Sequence, residues 1–204
     1  MGFYNDVVLP RLLDMAMRNK ELVGYRRRVV GAAQGRVLEI GIGSGLNLPF
    51  YGPGAAEIIG LEPSQALIAM ASRRARESDR AVSFLPGSAE AILLDTRSVD
   101  TVLITWTMCS IPKPEIALAE MRRVLKPGGS LLFVEHGRAP DPWVARLQDW
   151  LTPAWKTFSG GCHLNRPMAD LIGKAGFQVV DLHTGYARGP RPFTFMYEGF
   201  AREA

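Results

Sequence analysis

The chain has 204 residues, 47% of them hydrophobic, and a formal net charge of +4. That suffices for one domain with a full core, and a basic excess whose one cluster is Arg26-Arg27-Arg28 does not favour nucleic-acid binding. Two cysteines make no disulfide framework, no basic-apolar-small leader opens the chain, and no run of about 18 apolar residues could span a bilayer, so a cytoplasmic protein with reduced thiols is expected.

Residues 6–30 read as a helical segment. Leu9, Leu12, Leu13, Ala16 and Met17 recur at helical spacing, while Arg11, Asp14 and Arg18 fall on other faces. Pro10 suits a first turn. The plain reading is a helix packed on the domain. Two sharper readings make residues 1–35 a lid over a cofactor, or a peripheral membrane contact, since Val7, Val8, Leu9 and Met15 stand beside Arg11, Arg18 and Lys20.

A buried strand then begins at Val37-Leu38-Glu39-Ile40 and turns on the alternate glycines Gly41, Gly43 and Gly45. Glycine permits positive φ and close approach of a ligand to the backbone. A dinucleotide fingerprint needs glycine at position 46, where this chain has Leu46, so a nicotinamide oxidoreductase is disfavoured. Pro49, Gly52, Pro53 and Gly54 cut the first crossover helix short. Residues 57–61 form the second strand, ending at Glu62 and Pro63. An acid about 20 residues past a glycine loop is placed to accept from both ribose hydroxyls. Ser64 is a probable N-cap for a helix to about Glu77, and residues 81–85 are the third strand, followed by Gly87-Ser88-Ala89-Glu90.

Residues 99–106 read as the fourth, central strand, with Trp106 at its end and Thr107-Met108-Cys109-Ser110 beyond. Pro114 starts a helix through Val124, Lys126-Pro127-Gly128-Gly129 turns, and residues 130–135 form the fifth strand, with His136 directly after it. Residues 140–165 break the alternation and hold three of the four tryptophans, Trp143, Trp150 and Trp155. They either line an apolar acceptor pocket or form a small satellite core. A helix over 167–175, a strand over 177–182 and a last strand over 193–200 complete a seven-stranded α/β arrangement in one domain, 1–204.

The pattern Glu39-x-Gly41-x-Gly43-x-Gly45 resembles motif I of the class I S-adenosylmethionine (SAM)-dependent methyltransferases, and the turn before the fifth strand is usual there too. The resemblance implies a Rossmann-like, mostly parallel sheet with an antiparallel last strand and helices on both faces. It implies SAM as cofactor, held by Glu39, the three glycines, Glu62, Pro63, Ser88, Ala89 and Trp106. Ser88 stands where that family often has an aspartate for the adenine amino group. Longer strings, Trp106 to Ile111, Phe133 to His136, Leu151 to Trp155 and Gly160 to Arg166, are similar to the methyltransferase-like thiol S-methyltransferases of animals. No counterpart of their N-terminal membrane anchor is expected here, and Glu62 stands where they have an aspartate.

The implied reaction is methylation of a small apolar acceptor, with a thiol preferred and a phospholipid amine or quinone carbon as alternatives. A non-catalytic SAM-binding module is the competing reading from another class. A thiol reacts as its thiolate, and histidine titrates near neutrality, so a histidine base suits it. His136 is the first candidate and His163 the second. Cys109, Trp155 and Arg166 are candidates for the acceptor side, within a substrate-side insertion spanning 137–166; Arg166 alternatively caps the next helix. Cys109, Cys162, His136 and His163 suffice in number for a metal, but their spacing fits no local ligand motif, so none is expected.

Overall fold

The computed structural model describes residues 4–78 and 81–204. The first three residues of the expected lid therefore lie outside the described residues. Seven strands form one sheet: β1 (Gly35–Ile40), β2 (Ala55–Glu62), β3 (Val82–Pro86), β4 (Val99–Thr105), β5 (Leu125–His136), β6 (Phe177–Tyr186) and β7 (Phe195–Glu203). Their order is β3-β2-β1-β4-β5-β7-β6. β1 to β5 pair in parallel, and β7 runs antiparallel to both β5 and β6. The seven α-helices are α1 (Leu9–Met17), α2 (Val23–Val29), α3 (Gln65–Arg76), α4 (Pro114–Val124), α5 (Pro142–Phe158), α6 (Met168–Lys174) and α7 (Arg191–Thr194).

Strand side chains alternate between two cores, as a sheet covered on both faces requires. Leu38, Ile40, Val102, Ile104, Leu131 and Phe133 meet α4 and α6 through Leu118, Met121, Met168 and Ile172. Val37, Leu103, Leu132 and Val134 point the other way, onto Val29 and Val30. β4 is the middle strand, and the chain winds outward from β1 and β4 in opposite directions. Such a switch point opens a crevice at the carboxyl ends of the strands.

Three elements depart from the sequence expectation. The N-terminal segment is not one helix: α1 stops at Met17, Asn19 accepts from the Glu21 amide to start a short 3₁₀ turn, and α2 follows. Between β1 and β2 only a 3₁₀ turn at Leu48–Phe50 remains. β5 starts five residues early, because Leu125 already pairs with Val99 while the next register partner of Ser130 is Thr101; residues 126–129 loop out between them. No helix among the described residues is long and apolar enough to cross a membrane.

The tryptophan-rich stretch is α5. Its inner face carries Val144, Ala145, Gln148 and Thr152. Gln148 donates to the carbonyls of Gly137 and Pro192 and accepts from the Ala139 amide, so the helix is fastened by a fully satisfied buried amide. Ala139, Val144 and Phe195 make the small satellite core beneath it. The tryptophans lie on the opposite face: Trp143 is 54% and Trp150 75% exposed.

Candidate active site

A cavity of about 310 Å³ opens at the carboxyl ends of β1, β2 and β4. Of the expected cofactor residues, Glu39, Gly41, Gly43, Glu62, Pro63, Ser88, Ala89 and Trp106 line it. Gly45 does not. A Cβ there would stand 3.1 Å from the Ala71 Cα, so Gly45 lets the loop lie against α3. Gly41 and Gly43 take φ of 66° and 57°, which β-carbon-bearing residues avoid. A Cβ on Gly43 meets only the Gly41 carbonyl, at 3.8 Å, and would project into the cavity.

Glu62 is 6% exposed. Its Oε2 accepts from the Gly43 amide at 3.1 Å and its Oε1 from the Ser64 amide at 2.9 Å. Burial raises its pKa, and those two amides counter part of the rise. Each carboxylate oxygen keeps a second lone pair, so the side chain retains acceptors for two vicinal hydroxyls.

Glu39 does something the sequence did not reveal. Its two oxygens accept from Asn47 Nδ2 and the Tyr51 hydroxyl, both at 2.7 Å. Asn47 also donates to Thr105 and accepts from Arg26 Nε at 2.9 Å. The network ties β1, β4 and α2 together under the cavity. Burial pushes the Glu39 carboxyl up to about 7 despite those bonds and the nearby Arg26. The Arg26 guanidinium lies 4.9 Å from the centre of the Trp106 ring, and Trp106 takes a φ of 49°.

Helix α1 covers one side of the cavity through Leu13, Asp14 and Met17. Asp14 clasps it there. Ser44 of the glycine loop donates to Asp14 at 2.6 Å, and Arg18 and Arg74 donate at 2.7 and 2.8 Å. Burial raises the Asp14 carboxyl, but these three donors outweigh it and hold it below its ordinary value. Arg74 also donates to the Ser44 carbonyl.

The expected catalytic and acceptor residues fall outside this cavity. His136 does not line it, and its Nε2 lies 3.1 Å from Cys162 Sγ. His163 sits on the Cys109 carbonyl at 3.3 Å. Arg166 neither meets the cavity nor caps α6: it donates to the Met108 carbonyl, bracing the loop after β4. Cys109 is 2% exposed, behind the wall that its neighbours Ser110 and Ile111 form. Trp155 packs on Phe193 at the surface, with ring centres 4.8 Å apart. Glu135 accepts from the amides of Thr107 and Met108 at 2.7 and 2.9 Å and so shapes the same loop from beneath.

The residues present fit SAM. Side-chain-free backbone at Gly43 admits a bulky ligand, Gly41 lets the loop lie against Thr107, Glu62 offers paired acceptors, and Arg26 offers a cation for a carboxylate. The Trp106 indole Nε1 is buried without a protein acceptor, an unused donor in the cavity wall. The fold and this cradle define a SAM-dependent methyltransferase, and the chain belongs to that family. The family model described as a methyltransferase domain matches residues 38–133. Over 193 residues the chain is 34% identical to thiol S-methyltransferase TMT1B of Rattus norvegicus, covering 91% of this chain and 76% of that protein. It is 36% identical over 121 residues to a phosphatidylethanolamine N-methyltransferase of Cereibacter sphaeroides, covering 54% of this chain and 57% of that one. Among solved structures, a SAM-dependent methyltransferase of Thermotoga maritima, a possible histamine N-methyltransferase, superposes with a TM-score of 0.69 at 23% identity. That match covers 97% of this chain and 98% of the other, and shows the shared fold.

Proposed function

We propose that this methyltransferase acts on a small apolar thiol. The observation that carries the reading is the 34% identity to a thiol S-methyltransferase, which extends over 91% of the chain and so beyond the common cofactor-binding half. The cavity is compatible with it. Leu13, Met17, Leu46, Ile111 and Pro112 give it an apolar side, away from Glu39 and Glu62.

SAM supplies a methyl group already activated on a sulfonium. The protein's part is then to position the pair and exclude water. Gly41 and Gly43 set the donor's depth, Glu62 its orientation, and α1, held by Asp14, shuts the cavity on one side. A thiol has a pKa near about 8.5 and is a strong nucleophile once ionised. It needs less help from a base than an alcohol or amine would, which suits a cavity that neither His136 nor His163 lines.

A phospholipid amine is the second reading. It draws on the Cereibacter relative and on the apolar surface of Trp150, Phe158 and Met15, which are 75%, 69% and 67% exposed. Exposed apolar side chains of this kind suit contact with a lipid surface. Methyl-labelled SAM offered with alkyl thiols, phosphatidylethanolamine vesicles and quinols tests both. Label in thioether supports the proposal. Label only in lipid replaces it with the second reading, and label in none of the acceptors refutes both.

A further inference from the structure

Behind the cavity wall the fold gathers a group that sequence spacing argued against. Cys109 follows β4, His136 ends β5, and Cys162 lies in the loop after α5. Their two sulfurs and a ring nitrogen all lie within 4.8 Å of one another. The loop is pinned there by the His163 amide, which donates to the Cys109 carbonyl at 2.9 Å.

Protein hydrogen bonds leave this group underused. Thiols are weak donors and acceptors. Cys109 Sγ lies 3.8 Å from the Trp106 carbonyl and 3.5 Å from Ser110 Oγ, and it also interacts with the Cys162 thiol. His136 Nδ1 is buried with no partner at all.

We propose that Cys109, Cys162 and His136 bind one soft divalent cation, zinc in the first instance, with a fourth position turned toward the cavity for an acceptor thiolate. On a tetrahedral zinc, bonds of about 2.3 Å to sulfur and about 2.0 Å to nitrogen place ligand atoms roughly 3.5–3.8 Å apart. The present spread needs only small side-chain shifts to reach that. Two cysteines and one histidine leave one position open, the ligand count of catalytic rather than structural zinc. Two thiolates neutralise the ion, which suits a buried site. Arg166, half-buried, donates to the Met108 carbonyl beside Cys109 and so brings a cation next to the group. Trp106 and Ser110, which both approach the Cys109 sulfur, also line the cavity.

The three-ligand site stands independently; its fourth position rests on the thiol reading above. In that position the thiol S–H bond breaks, a sulfur–metal bond forms, and the proton leaves to solvent. Once methylated, the sulfur is a neutral thioether, a poorer ligand than a thiolate, and departs.

Cobalt(II) titration of the fully reduced, full-length protein tests the site. One equivalent is expected, with thiolate-to-cobalt charge-transfer bands and the intense visible bands of tetrahedral cobalt. Zinc should displace it. Cys162→Ser and His136→Gln should each weaken binding roughly a hundredfold or more, while His163→Gln should not. SAM affinity, measured alongside, shows that the variants remain folded. No uptake by the reduced protein overturns the proposal, as does uptake indifferent to these substitutions. Adding an alkyl thiol to the cobalt form should shift the visible bands, and unshifted bands overturn the fourth-position claim. A metal-binding protein that methylates no thiol refutes the acceptor reading alone. A metal-free protein that methylates thiols refutes the site alone.

Discussion

The backbone amide of Gly43 donates to Glu62 Oε2 across 3.1 Å, tying the glycine loop to the end of β2. One carboxylate thus shapes the loop, and in the proposed complex its remaining lone pairs would accept from the ribose. Glu62→Ala removes both roles. Bonds to a charged group contribute about 1.5–3 kcal/mol, so SAM dissociation constants should rise roughly 10- to 100-fold by calorimetry. An unchanged constant would separate Glu62 from the ribose.

The two glycines flanking Ser44 should behave differently. Gly43→Val puts a side chain into the cavity and should abolish SAM binding while the protein still unfolds cooperatively. Gly45→Ala instead meets Ala71 and a φ of 81°. It should cost about 1–2 kcal/mol of stability, several degrees in Tm, with a much smaller effect on SAM. Equal effects of the two on binding would contradict this division of labour.

Asp14 joins α1 to the glycine loop and α3, so Asp14→Asn should loosen the cover. Losing its pairs with Arg18 and Arg74 is worth about 1 kcal/mol, or roughly fivefold in SAM affinity. Trypsin should cut faster after Arg18 and Lys20. Unaltered affinity together with unaltered proteolysis would show that α1 is not held through this residue.

Stability should fall as pH rises through the window from about 4.5 to about 7. Glu39 titrates near the lower value when unfolded and at about 7 when buried. Between them the folded state binds more protons, so the slope of unfolding free energy with pH is negative. Urea midpoints of the ligand-free protein should therefore drop over that range, and Glu39→Gln should flatten the decline. A wild-type profile that Glu39→Gln leaves unaltered would contradict burial as the cause.

Much of this was legible in the sequence because the signals were local. Alternate glycines after an apolar run and an acid ending the next strand give the cofactor cradle, and apolar runs separated by helical periods give the sheet. Contacts between distant segments were not legible. Nothing near Asp14 announces Ser44 and Arg74, and nothing near Glu39 announces that Asn47 and Tyr51 will occupy both its oxygens. The tryptophans of residues 140–165 left two readings open, a pocket or a satellite core, for a different reason. Composition cannot choose between them; on α5 the buried stripe belongs to Val144, Gln148 and Thr152, and helical period turns Trp143 and Trp150 outward. Likewise, Cys109, His136 and Cys162 follow no spacing rule, since three separate elements bring them together.

Single turnover tests the account most directly. A preformed complex of the protein with SAM, mixed with excess small alkyl thiol, should yield thioether and S-adenosylhomocysteine in equal amounts, each approaching one per cofactor-loaded chain. S-adenosylhomocysteine without thioether, or no turnover while phosphatidylethanolamine is methylated, would contradict the proposed thiol acceptor.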